Sequence, residues 1–271
     1  MNDPARSEAI LAPSEGPAAE VTNAAGRAPI VLVCEHASAF IPASLSGLGL
    51  REEDRLSHAA WDIGALAVAQ RLSSALDAPL VASRVSRLVY DCNRPPEAAD
   101  SIPAKSELIV APGNADLSSQ QRGARAREIY EPFRRLLRET LAARAQTRPT
   151  LITIHSFTPV FYGKKRSVEL GLLHDTDDRL ARAILDAAPD CTPMKTALNE
   201  PYGPADGVTH TLREHALPAG LLNVMIEIRN DFVSDAAGIE RAASEVGTMI
   251  ERGLEACEHS SIATRNERRQ G

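Results

Sequence analysis

The 271-residue sequence has only four cysteines, Cys34, Cys92, Cys191 and Cys257, and no two are spaced as CxxC. That spacing suggests neither a zinc knuckle nor a disulfide framework, and leaves reduced thiols as the expected state. No apolar run approaches the roughly 20 residues that a bilayer span needs, and the N-terminus lacks the basic segment and apolar core of a signal peptide. Excess positive charge is absent too: 30 Lys and Arg against 36 Asp and Glu give a net charge of -6. Nucleic acid or an anionic membrane surface would therefore not be attracted. There is no GxSxG elbow of a serine hydrolase, and no glycine-rich phosphate loop follows a strand. These absences predict a cytoplasmic protein whose partner is a small molecule.

What is present is an ordinary globular composition, 44% hydrophobic, enough for one sizeable core. Residues 1–27 are rich in Ala, Pro, Ser and Glu and are expected to form a flexible leader. Residues 259–271 are similarly polar and are expected to be a flexible tail, which leaves 28–258 as a single domain. Within it, "IVLVC", "PLVASRV", "TLITIH", "SVELGLLH" and "LLNVMIEI" read as short strands, several continuously apolar, as strands covered on both faces must be. Between them Trp61, Ala65, Val68, Leu72 and Leu76 recur at helical spacing, as do Ile129, Phe133, Leu136 and Leu137. Thr176, and Ser234 or Asp235, are expected to cap two further helices. The alternation predicts a three-layer α/β/α sandwich around a mixed, largely parallel sheet.

Ligand sites in such sheets gather beyond the carboxyl ends of the strands, where "CEH" and "IHS" fall. Four places put polar groups where packing alone would not. They are Glu35 with His36, the run "SRLVYDCNRPP", His155 with Ser156, and Glu227 with Arg229. On a strand over 222–229, Asn223, Glu227 and Arg229 share one face. Two histidines at strand ends and a carboxylate at a third are the ingredients of a catalytic zinc site, although each histidine alone suits an ordinary core or surface role. Two carboxylates compete to be the third ligand. Glu35 adjoins His36, and neighbours on an extended chain point apart, whereas Asp62 has no such conflict but also suits a helix cap. Asp62 is favoured and Glu35 is kept as the alternative, expected to turn away toward an arginine or the backbone. Arg87, Asp91, Asn93 and Arg94 form a second cluster in which an arginine fork could hold a carboxylate. The loop "ALNEPYGPADGVTH" could close over the site through Asn199, Tyr202 or His210.

The segments "VCEHAS", "HAAWDIGA", "SRLVYDCNRPP", "IHSFTPV", "NEPYG" and "IEIRND", in this order, resemble the N-formylglutamate amidohydrolase family over roughly residues 28–257. The likeness is closest to a branch with "HSFTPV" and "DCNRP". That family is in turn similar to zinc carboxypeptidases and aspartoacylase-like deacylases. The resemblance implies a zinc-exopeptidase-like fold, His36 and His155 as zinc ligands, Asn93 and Arg94 as the grip on a substrate carboxylate, and Glu227 as general base. Arg87 and Arg229 would be the candidates to steady the oxyanion. Relatives often carry a Glu three residues after the first His. Here that position is Ala39, so the resemblance leaves the carboxylate ligand open. The expected substrate is an N-formyl or other N-acyl acidic amino acid. Rival readings are a zinc carboxypeptidase, a deacylase of another N-acyl amino acid, and a non-catalytic protein binding a metal or an acidic metabolite. Iron or cobalt could stand in for zinc.

Overall fold

The computed structural model describes residues 9–270, with side chains through His259. Seven strands form one sheet: β1 (Ala19–Thr22), β2 (Ile30–Cys34), β3 (Leu80–Ser83), β4 (Thr150–Phe157), β5 (Leu170–Leu173), β6 (Thr196–Leu198) and β7 (Asn223–Arg229). Their spatial order is β1-β3-β2-β4-β7-β5-β6. The central four, β3, β2, β4 and β7, run parallel, while β1 and β5 are antiparallel to the strands they join and β6 is parallel to β5. All five aliphatic runs become strands because each lies inside the sheet with both faces covered; every residue of β2 and β4 is buried.

The alternation of side chains sorts the core into two layers. Leu32, Ile152, Ile154, Val224 and Ile226 pack against α1 (Ala65–Ala75), α4 (Arg179–Ala187) and α6 (Ala236–Gln270). Val31, Val33, Leu151 and Met225 face the other way, onto Ile129, Phe133 and Leu137. Those residues belong to a continuous helical segment in which α2 (Ser119–Arg125) and α3 (Glu131–Ala142) are joined by a π turn. α5 (His210–His215) adds Leu212 to the same layer. The result is the expected α/β/α sandwich. Leu72 on α1 is wholly buried, so its truncation to Ala should cost about 2–5 kcal/mol.

Three expectations are corrected. The leader predicted over 1–27 is part of the domain from residue 9 onward, because β1 pairs with β3 through Ala19↔Ser83 to Thr22↔Leu80 and Ile10 is buried; residues 1–8 lie outside the description. The tail predicted from residue 259 is the continuation of α6, whose helical backbone reaches Gln270; residue 271 lies outside the description. Thr176 does not cap α4, which begins at Arg179. Asp235 does cap α6, its Oδ1 accepting from the N–H of Gly238 at 2.7 Å. No helix among the described residues is long and apolar enough to cross a membrane.

The parallel alignment decides where chemistry can occur. The carboxyl ends of β3, β2, β4 and β7 share one edge: Arg87 and Asp91 follow β3, Glu35 and His36 follow β2, and His155 and Glu227 stand near the ends of β4 and β7 themselves. A further turn, residues 57–64, brings Asp62 back to the same edge. Its N–H donates to the carbonyl of His36 at 2.9 Å. The turn ends on Gly64 at φ +82°, where a Cβ would meet the Val233 carbonyl at 2.5 Å, so only glycine lets α1 start there.

Candidate active site

The chain turns immediately after Cys34, and that turn resolves the conflict between neighbours. Glu35 and His36 both point into the sheet edge and are buried. Asp62 is the hub. Its Oδ2 lies 3.2 Å from Nδ1 of His36 and 2.9 Å from Nδ1 of His155, and accepts from the N–H of Ser156 at 3.3 Å. Its Oδ1 accepts from Nη1 of Arg87 at 3.0 Å. Asp62 is not a helix cap, since the residue before α1 is Gly64.

The far nitrogens of the two rings also meet carboxylates. Nε2 of His36 lies 2.7 Å from Oδ1 of Asp91, which also accepts from the Asn93 N–H at 2.9 Å. Nε2 of His155 lies 3.0 Å from Oε2 of Glu35, off the axis of a straight hydrogen bond, so both oxygens of Glu35 lack an aligned partner. Glu35 therefore does not turn toward an arginine or the backbone; it backs His155. An ionised carboxylate only accepts, so Asp91 and Glu35 call for a proton on each Nε2 as Asp62 does on each Nδ1, and a bound ion would take the place of the Nδ1 protons. A carboxylate behind each imidazole is the arrangement that orients metal-binding histidines.

His36, Asp62 and His155 could hold a metal ion: one ligand atom from each lies within 4.8 Å of the others. The fit is sound on two counts. Two imidazole nitrogens and a carboxylate oxygen suit a divalent transition ion such as zinc, whose bonds of about 2.0–2.2 Å require ligand atoms spaced much as these are. Buried polar atoms also stand without hydrogen-bond partners around the group: both oxygens of Glu35, Nε2 of His155 and Oε2 of Glu227.

Charge balance is strained here. Burial alone would raise the Asp62 carboxyl, but His36, His155 and Arg87 together hold it well below the usual range. Asp91 is likewise held low, against burial, by His36 and Arg87. Burial opposes protonation of His155, yet Glu35 and Asp62 raise it well above an ordinary histidine. Glu227 behaves in the opposite sense. It stands beside His155 across β7 and β4, and burial pushes its carboxyl up to about 7 despite the pull of both histidines.

A cavity of about 850 Å³ opens on this group, and His36, Asp62, Glu227, Arg87, Asn93, Arg94 and Tyr202 all line it. Several expected contributors are engaged elsewhere. Asn93 uses Oδ1 to accept from the N–H of Thr211 at 3.0 Å and Nδ2 to donate to the carbonyl of Val208. Arg94 donates to Asp100 and to the carbonyls of Asn93, Gly207 and Asp206. Three expectations fail on position. Arg229 is bound to Asp231 and Glu169 at the strand end and does not line the cavity. Asn199 instead braces His174, its Oδ1 accepting from that residue's N–H at 2.9 Å. His210 is hydrogen-bonded to Tyr130 at 2.7 Å, in a neighbouring cleft.

Sequence reasoning missed two cavity residues. His58 is largely buried with Nδ1 unpartnered, and burial pushes it down to about 4, so it is neutral near pH 7. The signal was its place four residues before Asp62, inside a motif already noted. Arg166 ends the run Lys164-Lys165-Arg166, which reads as an exposed basic turn; Phe157 and Phe161 from the preceding segment and Tyr202 from a loop remote in sequence surround it.

The sequence profile of the N-formylglutamate amidohydrolase family matches residues 28–234. Among solved structures, the gene product Atu2144 from Agrobacterium tumefaciens is 49% identical, with 92% of this chain and 99% of that one covered and a TM-score of 0.89. An N-formylglutamate amidohydrolase from Ralstonia eutropha JMP134 shares the fold at 18% identity and a TM-score of 0.60, covering 90% of this chain and 98% of that one. No curated protein matches the sequence.

Proposed function

The chain belongs to the N-formylglutamate amidohydrolase family, a hydrolase family acting on an amide bond, and from that premise we propose that it cleaves the amide of an N-formyl or other N-acyl acidic amino acid. With N-formyl-L-glutamate, water would be consumed and formate and glutamate released. The observation that carries this reading is Glu227. A buried carboxyl held at about 7, with one oxygen unpartnered, borders the same cavity as a group able to hold a metal ion.

A divalent ion, zinc by preference, held by His36, Asp62 and His155 would supply Lewis-acid activation of the amide and of the attacking water. Glu227 takes the proton from that water as it adds to the carbonyl carbon, and returns it to the leaving nitrogen as the C–N bond breaks. A base whose pKa lies near the working pH suits both transfers. Arg87, tied to Asp62, keeps its guanidinium at the cavity wall, where it can offset negative charge growing on the carbonyl oxygen. Asp91 and Glu35 fix the two imidazole rings from behind.

Formate release from N-formyl-L-glutamate by zinc-loaded protein, with a chelated sample as blank, tests the reading. Chelator-sensitive release is expected. A zinc-holding protein that releases no formate would remove N-formylglutamate as substrate. The cavity favours one second reading, a deacylase of larger N-acyl amino acids, because about 850 Å³ is at the roomy end for a small-molecule site. N-acetyl and longer acyl amino acids, with dipeptides for the carboxypeptidase alternative, complete the panel.

A further inference from the structure

Five cationic side chains line the cavity: Arg87, Arg94, Lys164, Lys165 and Arg166. An incoming carboxylate sheds water to pair with one of them, and it pairs at least cost with a cation that need not release an acid it already holds. Arg87 donates to Asp62 at 3.0 Å and lies 3.7 Å from Asp91. Arg94 is bound to Asp100 at 2.7 Å and to three carbonyls. The two lysines are exposed on a small hairpin, where long flexible stems must be ordered before they can hold anything.

Arg166 differs from all four. Among the described residues it has no carboxylate partner, and its side chain donates only to the carbonyl of Thr158 at 3.3 Å and the hydroxyl of Tyr202 at 2.7 Å. A guanidinium has five N–H donors, so three remain. Its carbon lies 4.4 Å from the ring centre of Phe161, 4.6 Å from Tyr202 and 5.4 Å from Phe157. Aromatic faces on this scale hold the charged plane in one orientation, so little freedom is left to lose when a ligand binds. Because the Tyr202 oxygen accepts from Arg166, its own O–H is free to donate to the same ligand.

We propose that Arg166, backed by the Tyr202 hydroxyl, is the anchor for one of the substrate's two free carboxylates, in place of the Asn93–Arg94 pair that the family resemblance implies. The assignment rests on the amidohydrolase reading for the identity of the ligand, and its geometry stands apart from it. Lys164 and Lys165, which have no ion pairs among the described residues, sit beside Arg166 and draw anions toward the mouth.

The test uses glutarate, a dicarboxylate with no amide to cleave, titrated calorimetrically into the metal-loaded protein. Arg166→Ala is expected to weaken glutarate about 10- to 100-fold, and Arg166→Lys, which keeps the charge but loses the fork, by an intermediate factor. With N-formyl-L-glutamate the same variants raise KM far more than they lower kcat, at unchanged metal content. If Arg166→Ala does not fold, the Lys variant decides by the same graded loss. The anchor is overturned if wild-type protein fails to bind glutarate. It is also overturned if Arg166 variants bind it within threefold of wild type while Arg94→Ala abolishes binding. Arg166-dependent glutarate binding without turnover of any N-acyl amino acid would keep the anchor and sink the amidohydrolase reading. Formate release with Arg166 variants indistinguishable from wild type would do the reverse.

Discussion

Glu227 on β7 stands in register with His155 on β4, side by side on adjacent parallel strands. The strand geometry thus sets the proposed base beside a candidate metal ligand without help from any loop. Glu227→Gln keeps the shape and removes the proton acceptor. Turnover is expected to fall by about 10²- to 10⁴-fold while metal content stays at the wild-type level. Equal turnover in the variant would remove Glu227 from the reaction.

The same carboxyl makes stability depend on pH. An acid whose folded pKa, about 7, lies above its unfolded value of 4.5 binds more protons folded than unfolded. Its contribution is complete below pH 4.5 and is lost as pH rises toward 7, on the order of 3 kcal/mol at most. Chelator-treated wild type and Glu227→Gln, unfolded by denaturant at pH 5 and at pH 8, should differ more at pH 8, with the variant gaining. A gain confined to pH 5 would contradict the assignment.

Asp62 touches both histidines and Arg87, so Asp62→Ala removes the hub of a buried charge cluster. Loss of bound zinc is expected, measured by metal stoichiometry. The zinc-free variant is expected to lose about 3–5 kcal/mol, because the buried His36 and His155 and the partly exposed Arg87 lose the carboxylate they share. Retention of one zinc per chain would return the third-ligand role to Glu35.

Glu35→Gln separates backing from binding. If the carboxylate only orients His155, zinc is still bound but about 10- to 100-fold more weakly, read by competition with a chromogenic chelator. Complete loss of zinc would make Glu35 a ligand.

The fold was legible wherever a strand had to be apolar on both faces: β2, β3, β4, β5 and β7 could be read because continuous aliphatic runs admit few other uses. β1 could not. Ala19-Glu20-Val21-Thr22 is short and alternating, and only β3, some 60 residues later, makes it a strand. His36, His155 and Glu227 were legible from their places at strand ends. Asp62 was favoured because it does not adjoin His36, and it is the residue grouped with the two histidines. The alternation that placed Glu227 on the cavity face also suggested Arg229, but a face is not a depth. Arg229 is the last residue of β7, where Glu169 and Asp231 take it away from the cavity. Arg166 was hidden because Phe157, Phe161 and Tyr202 converge on it only in three dimensions.

The sheet's two outer strands are unlike its centre: β6 has three residues, and β1 turns Glu20 and Thr22 outward. Behind β1 lies β3, buried throughout, with Leu80, Val81 and Ala82 in sequence. A chain begun at residue 28, where composition alone would place the start of the domain, would present the bare backbone of that apolar strand to other molecules. Such a protein is expected to aggregate edge to edge and to scatter more light than the full chain at equal concentration. Residues 19–22, which composition alone would assign to a leader, cover the edge through which the molecule would otherwise meet its own copies.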